Sequence, residues 1–504
     1  MIKKKQAIEE LLEEALVPKE EQRFQIPVNW VWTWTGTVAE VMGGGTPKST
    51  VKEYYEDGTI PWITPADLSR HQYMYISKGN RYITELGLNK SSARMLPVDT
   101  VLLSSRAPIG YVAIAAKALC TNQGFKSFVP SNALNPKYLY WYLKFSKFYL
   151  ESMASGSTFK ELSGAKCKDI QLPLPPINEQ KRIAEKVEHL LNKIEEAKRL
   201  IEEAKETFEL RRAAIFDKAF RGELTKKWRS KNPNISFQLI EIEEERKKLK
   251  EKYLRSKSYK KPVKISLGDK TKGITKIYEI PYTWQWVTID QVTWSVSDGP
   301  HFSPKYVEKD EGIPFISTRN INYKGISFED CKFVSHEDHK EFSKRANPEI
   351  GDVILTKGGT TGIATVVEEN QPFSIWVHLA LLKVIKNYVS PHYLRDVLSS
   401  PFVYIQSQAQ TRGVTNKDLG LTRLIYMAVP LPPLEEQKEI VRLINKLFEK
   451  LDINKKVCDR LISDLNLLKQ SILSKAFRGE LGTNDPSEEN AIELLKEVLQ
   501  EQIK

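Results

Sequence analysis

The sequence predicts an α+β protein built twice: two globular domains joined by two long antiparallel coiled-coil helices, related by an internal pseudo-two-fold repeat. Three observations lead there. A pair of motifs recurs at a constant spacing, two apolar stripes step by four and three residues, and the intervening stretches are short β-rich runs broken by Gly and Pro. At 504 residues the chain is too long for one core. The expected segments are an N-terminal helix with a first globular domain (1–170), a first coiled-coil helix (171–224), a basic linker with a helix (225–279), a second globular domain (280–427), a second coiled-coil helix (428–482) and a C-terminal helical tail (483–504).

The repeat is the strongest signal. Pro173-Leu174-Pro175-Pro176 followed by Glu179-Gln180-Lys181 recurs as Pro430-Leu431-Pro432-Pro433 followed by Glu436-Gln437-Lys438, a spacing of 257 residues (430 − 173). Lys218-Ala219-Phe220-Arg221-Gly222-Glu223-Leu224 recurs as Lys475-Ala476-Phe477-Arg478-Gly479-Glu480-Leu481 at the same spacing. Upstream, Ile26-Pro27 with Trp30 and Trp32 matches Ile280-Pro281 with Trp284 and Trp286, at 254 residues (280 − 26). Ile60-Pro61-Trp62-Ile63 pairs with Ile313-Pro314-Phe315-Ile316, Asp99 with Asp352, and Pro136 with Pro391. The small drifts in spacing place insertions in loops.

Between the two motifs of each copy lies a heptad stripe. The first runs Ile183, Val187, Leu190, Ile194, Ala197, Ile201, Ala204, Phe208, Arg211 and Ile215; the second runs Ile440, Ile444, Leu447, Leu451, Asn454, Cys458, Leu461, Leu465, Leu468 and Ile472. A stripe this narrow needs a mate, and the related stripe supplies one. Antiparallel pairing lets residues 225–279 connect locally, whereas a parallel pair would send them back along the whole helix. It also sets the two domains at opposite ends of a rigid spacer.

The domains, 26–170 and 280–427, contain strand-like runs at Val98–Leu103, Tyr111–Ala115, Val353–Thr356 and Ile363–Val367, with helices near 136–152 and 391–408. Scaffold positions match between copies while loops differ. At one equivalent turn the first copy carries Ser104-Ser105-Arg106-Ala107-Pro108-Ile109-Gly110 and the second Lys357-Gly358-Gly359-Thr360-Thr361-Gly362. Different polar groups on an equivalent turn suit readers of different base pairs, because base edges differ in donor and acceptor pattern. Arg106 can fork onto guanine, and Lys357 can reach guanine or phosphate; a surface turn with a local salt bridge is the plain alternative. The candidate DNA-contacting residues are Thr46, Lys48, Ser105, Arg106, Gln123, Lys126, Ser157 and Lys160 in the first domain. In the second they are His301, Lys305, Arg319, Asn320, Lys357, Thr360, Arg412 and Lys417. Trp30, Trp32, Trp34, Trp284 and Trp286 read as packed core rather than stacking platforms, and His336 and His339 as a solvated helix end rather than metal ligands. Arg246, Lys247, Lys248, Lys250, Lys252, Arg255, Lys257, Lys260, Lys261 and Lys264 form a basic stretch suited to phosphate or to a solvated tether.

Composition agrees with a polyanionic partner: the formal charge is +12 and the pI about 9.1, with 41% hydrophobic residues for packed cores. The four cysteines are scattered, which fits a reducing cytoplasm and neither a zinc site nor a disulfide framework. No leader-like segment opens the chain, and no run approaches the roughly 18 apolar residues that span a bilayer, so no membrane association is expected. Gly43-Gly44-Gly45-Thr46-Pro47-Lys48-Ser49-Thr50 lacks the Gly-Lys-Ser/Thr order of a phosphate loop, and neither a dinucleotide fingerprint nor a base-flipping Asn/Asp-Pro-Pro-aromatic segment is present. Catalysis and bound cofactors are therefore not expected of this chain. A stand-alone DNA-binding regulator, a scaffold and a diverged methyltransferase remain alternatives.

The paired Pro-Leu-Pro-Pro-x-x-Glu-Gln-Lys motifs, the paired Lys-Ala-Phe-Arg-Gly-Glu-Leu motifs and the Ile-Pro-x-x-Trp-x-Trp openings make the chain resemble, over nearly its whole length, the specificity subunits of type I restriction-modification systems. The resemblance implies a subunit that binds double-stranded DNA and recruits two methyltransferase subunits, with restriction subunits in the larger complex. S-adenosylmethionine, ATP and magnesium would belong to those partners. Two unlike readers imply an asymmetric, bipartite target.

Overall fold

Both long helices form, as Ile177–Phe220 and Leu434–Phe477, each 44 residues and so roughly 66 Å long at 1.5 Å per residue. The computed structural model describes residues 2–106, 108–156, 160–236, 239–256, 278–413 and 418–502. These divide into one unit of Met1–Glu202 with Asp459–Lys504 and a second of Glu203–Cys458, so that each unit draws on both halves of the chain.

In the first unit, a five-stranded sheet runs in the order Ala39–Gly43, Phe125–Pro130, Val101–Ser104, Val112–Ala115, Tyr75–Ile76, beside a three-stranded sheet of Arg81–Ile83, Ile60–Ile63 and Cys120–Thr121. The second unit repeats the central hairpin as Val353–Thr356 with Ala364–Val366, flanked by Leu379–Val384 and Thr293–Asp298. In each unit the tryptophan strand pairs antiparallel with the proline-rich strand, Trp32 opposite Pro173 and Trp286 opposite Pro430. Trp30, Trp32 and Trp284 are buried, as expected of core residues. The expected helix near 136–152 breaks at Ser146 into Pro136–Phe145 and Lys147–Met153, and that near 391–408 breaks before Pro401, a residue that cannot continue a helix. One pairing of positions shifts by a residue. Thr100 is the counterpart of Asp352, since their carbonyls accept from Ala115 and Val367, while Asp99 (φ 65°) matches Gly351 (φ 83°) at a left-handed turn.

The repeated motifs meet, and they meet crosswise. In the first unit the Trp30 indole donates to Glu179 (2.7 Å), which also accepts from Asn484 (2.9 Å), just beyond the second helix. Phe477 stacks on Phe145 and meets Tyr138 and Tyr142 edge-on. Gly479 (φ +74°) lies so close to Pro27 that a Cβ there would stand 2.2 Å from its ring. In the second unit the Trp284 indole (2.9 Å) and the Thr225 hydroxyl (2.7 Å) donate to Glu436, which also pairs with Arg229. Phe220 meets Tyr393 edge-on, and Gly222 (φ +77°) abuts Pro281. Gln180 and Gln437 tie each long helix to the start of a domain helix, Pro136–Phe145 or Pro391–Leu398: Gln180 accepts from the backbone amide of Asn135 and Gln437 from that of Ser390, both at 2.8 Å. Each lead-in motif is thus completed by the exit motif of the other copy. This is the antiparallel arrangement, with the start of one helix beside the end of the other within each unit.

The repeat runs further than the sequence motifs suggest. Ile242 and Leu495, each the fourth residue of its helix (Leu239–Ser256 and Ile492–Gln502), are both buried. The first packs on the strand Thr293–Asp298 and the second on Ile2–Ala15 and Thr35–Val38. The stretch expected to be linker and the stretch expected to be tail play equivalent parts. The helical stripes are buried chiefly at their ends, where a domain adds a third wall: Ile183, Val187, Leu191 and Ile194 with Ile472, Leu473 and Phe477 in the first unit, and Phe216 with Ile440, Ile444 and Phe448 in the second. Leu191, not Leu190, lies in that core; Ala204, Arg211 and Asn454 are exposed, and Leu461 and Leu468 are 45% and 48% exposed. A narrow seam deviates from strict heptad burial where no domain covers it.

Candidate nucleic-acid interface

The candidate interface is built on a backbone clamp present in both units. In the first, the Ser105 amide donates to Gly124 O (2.8 Å) and the Leu162 amide to Ser105 O (2.8 Å); in the second, Lys357 donates to His378 O (2.8 Å) and Leu419 to Lys357 O (2.7 Å). Bridges then tie Glu161 to Arg106 and Ser155, and Asp418 to Gly358 and Arg412. The turn after the central strand is therefore joined to a hairpin far along the chain. A third loop arrives beside them because Gly44 and Gly299 pass so close to neighbouring backbone that a Cβ would stand 1.9 Å from Asn122 O and Ile375 O respectively.

On this shared frame the side chains differ. In the first unit Arg106 pairs with Glu161 (3.0 Å), and Lys126 lies 3.7 Å from the same carboxylate. Arg106 and Glu161 are 46% and 36% exposed, so their pairing is weak in water and Arg106 can exchange it for a nucleic-acid contact at little cost. In the second unit Lys357 is buried between Asp298 (3.3 Å) and Asp418 (3.2 Å). Asp298, itself buried, also holds Arg345 and approaches His301 (3.4 Å).

The structure sorts the sequence-derived candidates. Thr46, Lys48, Arg106, Gln123, Lys160, His301, Lys305, Arg319, Thr360 and Arg412 are exposed, and Lys126 is half-buried. Three others have their polar groups engaged inside the protein. Ser105 is fully buried with its hydroxyl on Gly124 O (3.2 Å), Lys357 is held by its two carboxylates, and Asn320 bonds to Ser317 and Ser327. These support the exposed loops from beneath rather than extending from them. Lys48 and Lys305 sit on exposed loops and Arg319 on the short 3-10 helix Thr318–Asn320, and none shares a side-chain hydrogen bond or ion pair with the clusters among the described residues. Ser157 and Lys417 lie outside the described residues, as do Lys257, Lys260, Lys261 and Lys264 of the basic stretch. Within that stretch Arg246 is turned inward, pairing with Asp290 and donating to Thr293 O (3.2 Å). His336 and His339 lie at the start of the helix His336–Ser343; His336 is exposed as a solvated helix end would be, but His339 is half-buried, sharing a 2.8 Å hydrogen bond with the buried Ser374, and burial followed by the neighbouring His336 lowers its pKa. No metal-binding group of His, Cys, Asp or Glu occurs among the described residues.

Sequence reasoning missed Glu161, Asp418, Asp298 and Arg345. A signal existed for the first two, which are acidic residues at the same register of both copies, 257 apart (418 − 161).

Comparison with known proteins agrees with this frame. The family model described as "Type I restriction modification DNA specificity domain" matches residues 27–206 and again 281–461. The chain is 29% identical over 469 residues to the type I restriction enzyme MjaIX specificity subunit of Methanocaldococcus jannaschii, covering 92% of this chain and 96% of that one. It is 26% identical to the EcoBI specificity subunit of Escherichia coli, covering 90% and 86%. In fold it is similar to the crystal structure of the HsdS subunit from Thermoanaerobacter tengcongensis, with a TM-score of 0.56, 19% identity and coverage of 92% and 100%. Among the described residues no helix is long and apolar enough to cross a membrane.

Proposed function

We propose, from the premise that this chain belongs to the type I restriction-modification DNA specificity family and carries its domain twice, that each unit reads one half of an asymmetric, bipartite duplex target. The chain is the DNA-specificity subunit of a type I restriction-modification complex, assembling with methyltransferase and restriction subunits. One observation carries the reading of two unlike half-sites. The same backbone clamp lies beside Arg106, Lys126 and Glu161 in one unit, and in the other beside His301 and Asp418 over the buried Lys357 and Asp298. A conserved frame with exchanged polar groups is what two readers of different base pairs require, phosphate contacts setting register and base-edge contacts setting identity. Methyl transfer, with its S-adenosylmethionine, and ATP- and magnesium-dependent steps are placed in the partner subunits, and this chain performs no catalysis. The complex works in the cytoplasm, where the free cysteines stay reduced.

Replacing Arg106 tests the assignment in the first unit. Arg106→Ala is expected to weaken binding to the cognate duplex by about 1–3 kcal/mol and relax one base position in one half-site. Competition assays against single-base variants measure this. Equal loss on cognate and random duplex would make Arg106 a phosphate contact; no loss on either would remove it from the interface.

A further inference from the structure

The second unit contains a charged network that the first lacks entirely. Asp298, at the end of the strand Thr293–Asp298, is 1% exposed and accepts from Arg345 Nε (3.1 Å) and Arg345 Nη2, while Lys357 Nζ lies 3.3 Å away. Arg345 Nε also donates to Asp298 O (3.0 Å), and Nη2 lies 3.0 Å from His301 Nε2. Arg345 is thereby pinned along one edge, yet its side chain is 51% exposed. Its Nη1 has no hydrogen-bond or ion-pair partner among the described residues.

The equivalent positions in the first unit follow from the backbone. Gly43 pairs with Lys126 as Asp298 pairs with Ala380, Ser105 takes the clamp position of Lys357, and Ser92 precedes the buried Ala93 as Arg345 precedes the buried Ala346. An Asp, Lys and Arg set in one copy is a Gly, Ser and Ser set in the other, so all three change together. Groups that close the fold do not change in this way: Trp30 and Trp284, Glu179 and Glu436, and Gln180 and Gln437 keep their identity, and the indole–carboxylate and glutamine–backbone bonds recur in both units. The first unit shows that the fold forms without the network. Burying Asp298 and Lys357 carries a desolvation cost that packing does not require.

We infer that Arg345 reads a base in the half-site of the second unit, with Asp298 and Lys357 as positioning residues behind it. This deepens the proposed function and rests on it. A long side chain free in solvent would lose rotamer freedom on contacting a base; Arg345 has already lost it to a buried carboxylate. Its end-on edge, Nη1 together with the Nη2 proton that faces the exposed His301, offers the paired donors that guanine accepts at O6 and N7 in the major groove once His301 yields Nη2. Asp298 fixes the plane of the guanidinium, which favours a directional contact.

The test selects binding sites from a randomised duplex library with the full-length chain in its methyltransferase complex, comparing wild type, Arg345→Ala and Arg345→Lys. The expected wild-type motif contains a guanine that Arg345→Ala no longer discriminates, a loss of roughly 5- to 150-fold in preference at that position. The other half-site keeps its full preference. Arg345→Lys, which keeps the charge but not the fork, should also lose the discrimination while binding random duplex like wild type. Restored discrimination in Arg345→Lys, or an unchanged motif in Arg345→Ala, would overturn the assignment. A wild-type complex that selects no sequence would overturn the proposed function itself, and this inference with it.

Discussion

Residues 1–256 expressed alone will associate as a closed two-fold pair and, with the methyltransferase partner, mark an inverted repeat of the first unit's half-site. The first unit is completed by chain that lies beyond Cys458, and the fragment carries its own version of that chain. Phe220 replaces Phe477, Ala219 replaces Ala476, Gly222 replaces Gly479 against Pro27, and Ile242 replaces Leu495. Thr225 and Arg229, which serve Glu436 in the whole chain, are positioned to serve Glu179. An unpaired fragment would leave Ile183, Val187 and Ile194 in water, at roughly 1.5–3 kcal/mol for each large side chain. A second copy covers them, and two identical readers related by a two-fold axis require an inverted repeat. Sedimentation and mapping of methylated positions check both parts. A fragment that stays monomeric, or a dimer that marks an asymmetric sequence, would contradict the crosswise completion of the units.

Glu436→Ala will destabilise the second unit by about 3–5 kcal/mol, the cost of leaving a buried partner charge uncompensated. Glu436 is 1% exposed and gathers the Trp284 indole, the Thr225 hydroxyl and the Arg229 guanidinium, itself largely buried. Glu179→Ala removes a carboxylate that meets an indole and an amide but bonds to no cation, so its expected cost is smaller, about 1–3 kcal/mol. Denaturant unfolding of the two variants gives the comparison. Equal, small losses would show that Arg229 finds water when its partner is removed.

The helices and the duplication were legible because both are periodic: heptads report a seam, and a motif that returns 257 residues on reports a repeated frame. What the motifs do was not legible. Glu179 and Glu436 look like ordinary helix-start acids, and only the fold shows an indole and the other copy's exit segment closing on them. The interface was partly legible for the same reason. Unlike residues on an equivalent turn marked the clamp that the two units share, but a turn's sequence does not say which side chains point inward, so Lys357 was grouped with exposed residues such as Thr360. Asp298 and Arg345 lie 47 residues apart and meet only in the folded unit.

The most direct measurement is a selection of duplex sites by the full-length chain, assembled with its methyltransferase partner, from a library randomised over several helical turns. Two units with unlike polar groups on a shared clamp predict two unlike specified segments separated by a constant number of unread base pairs. A single uninterrupted motif, or two identical halves in inverted order, would contradict it.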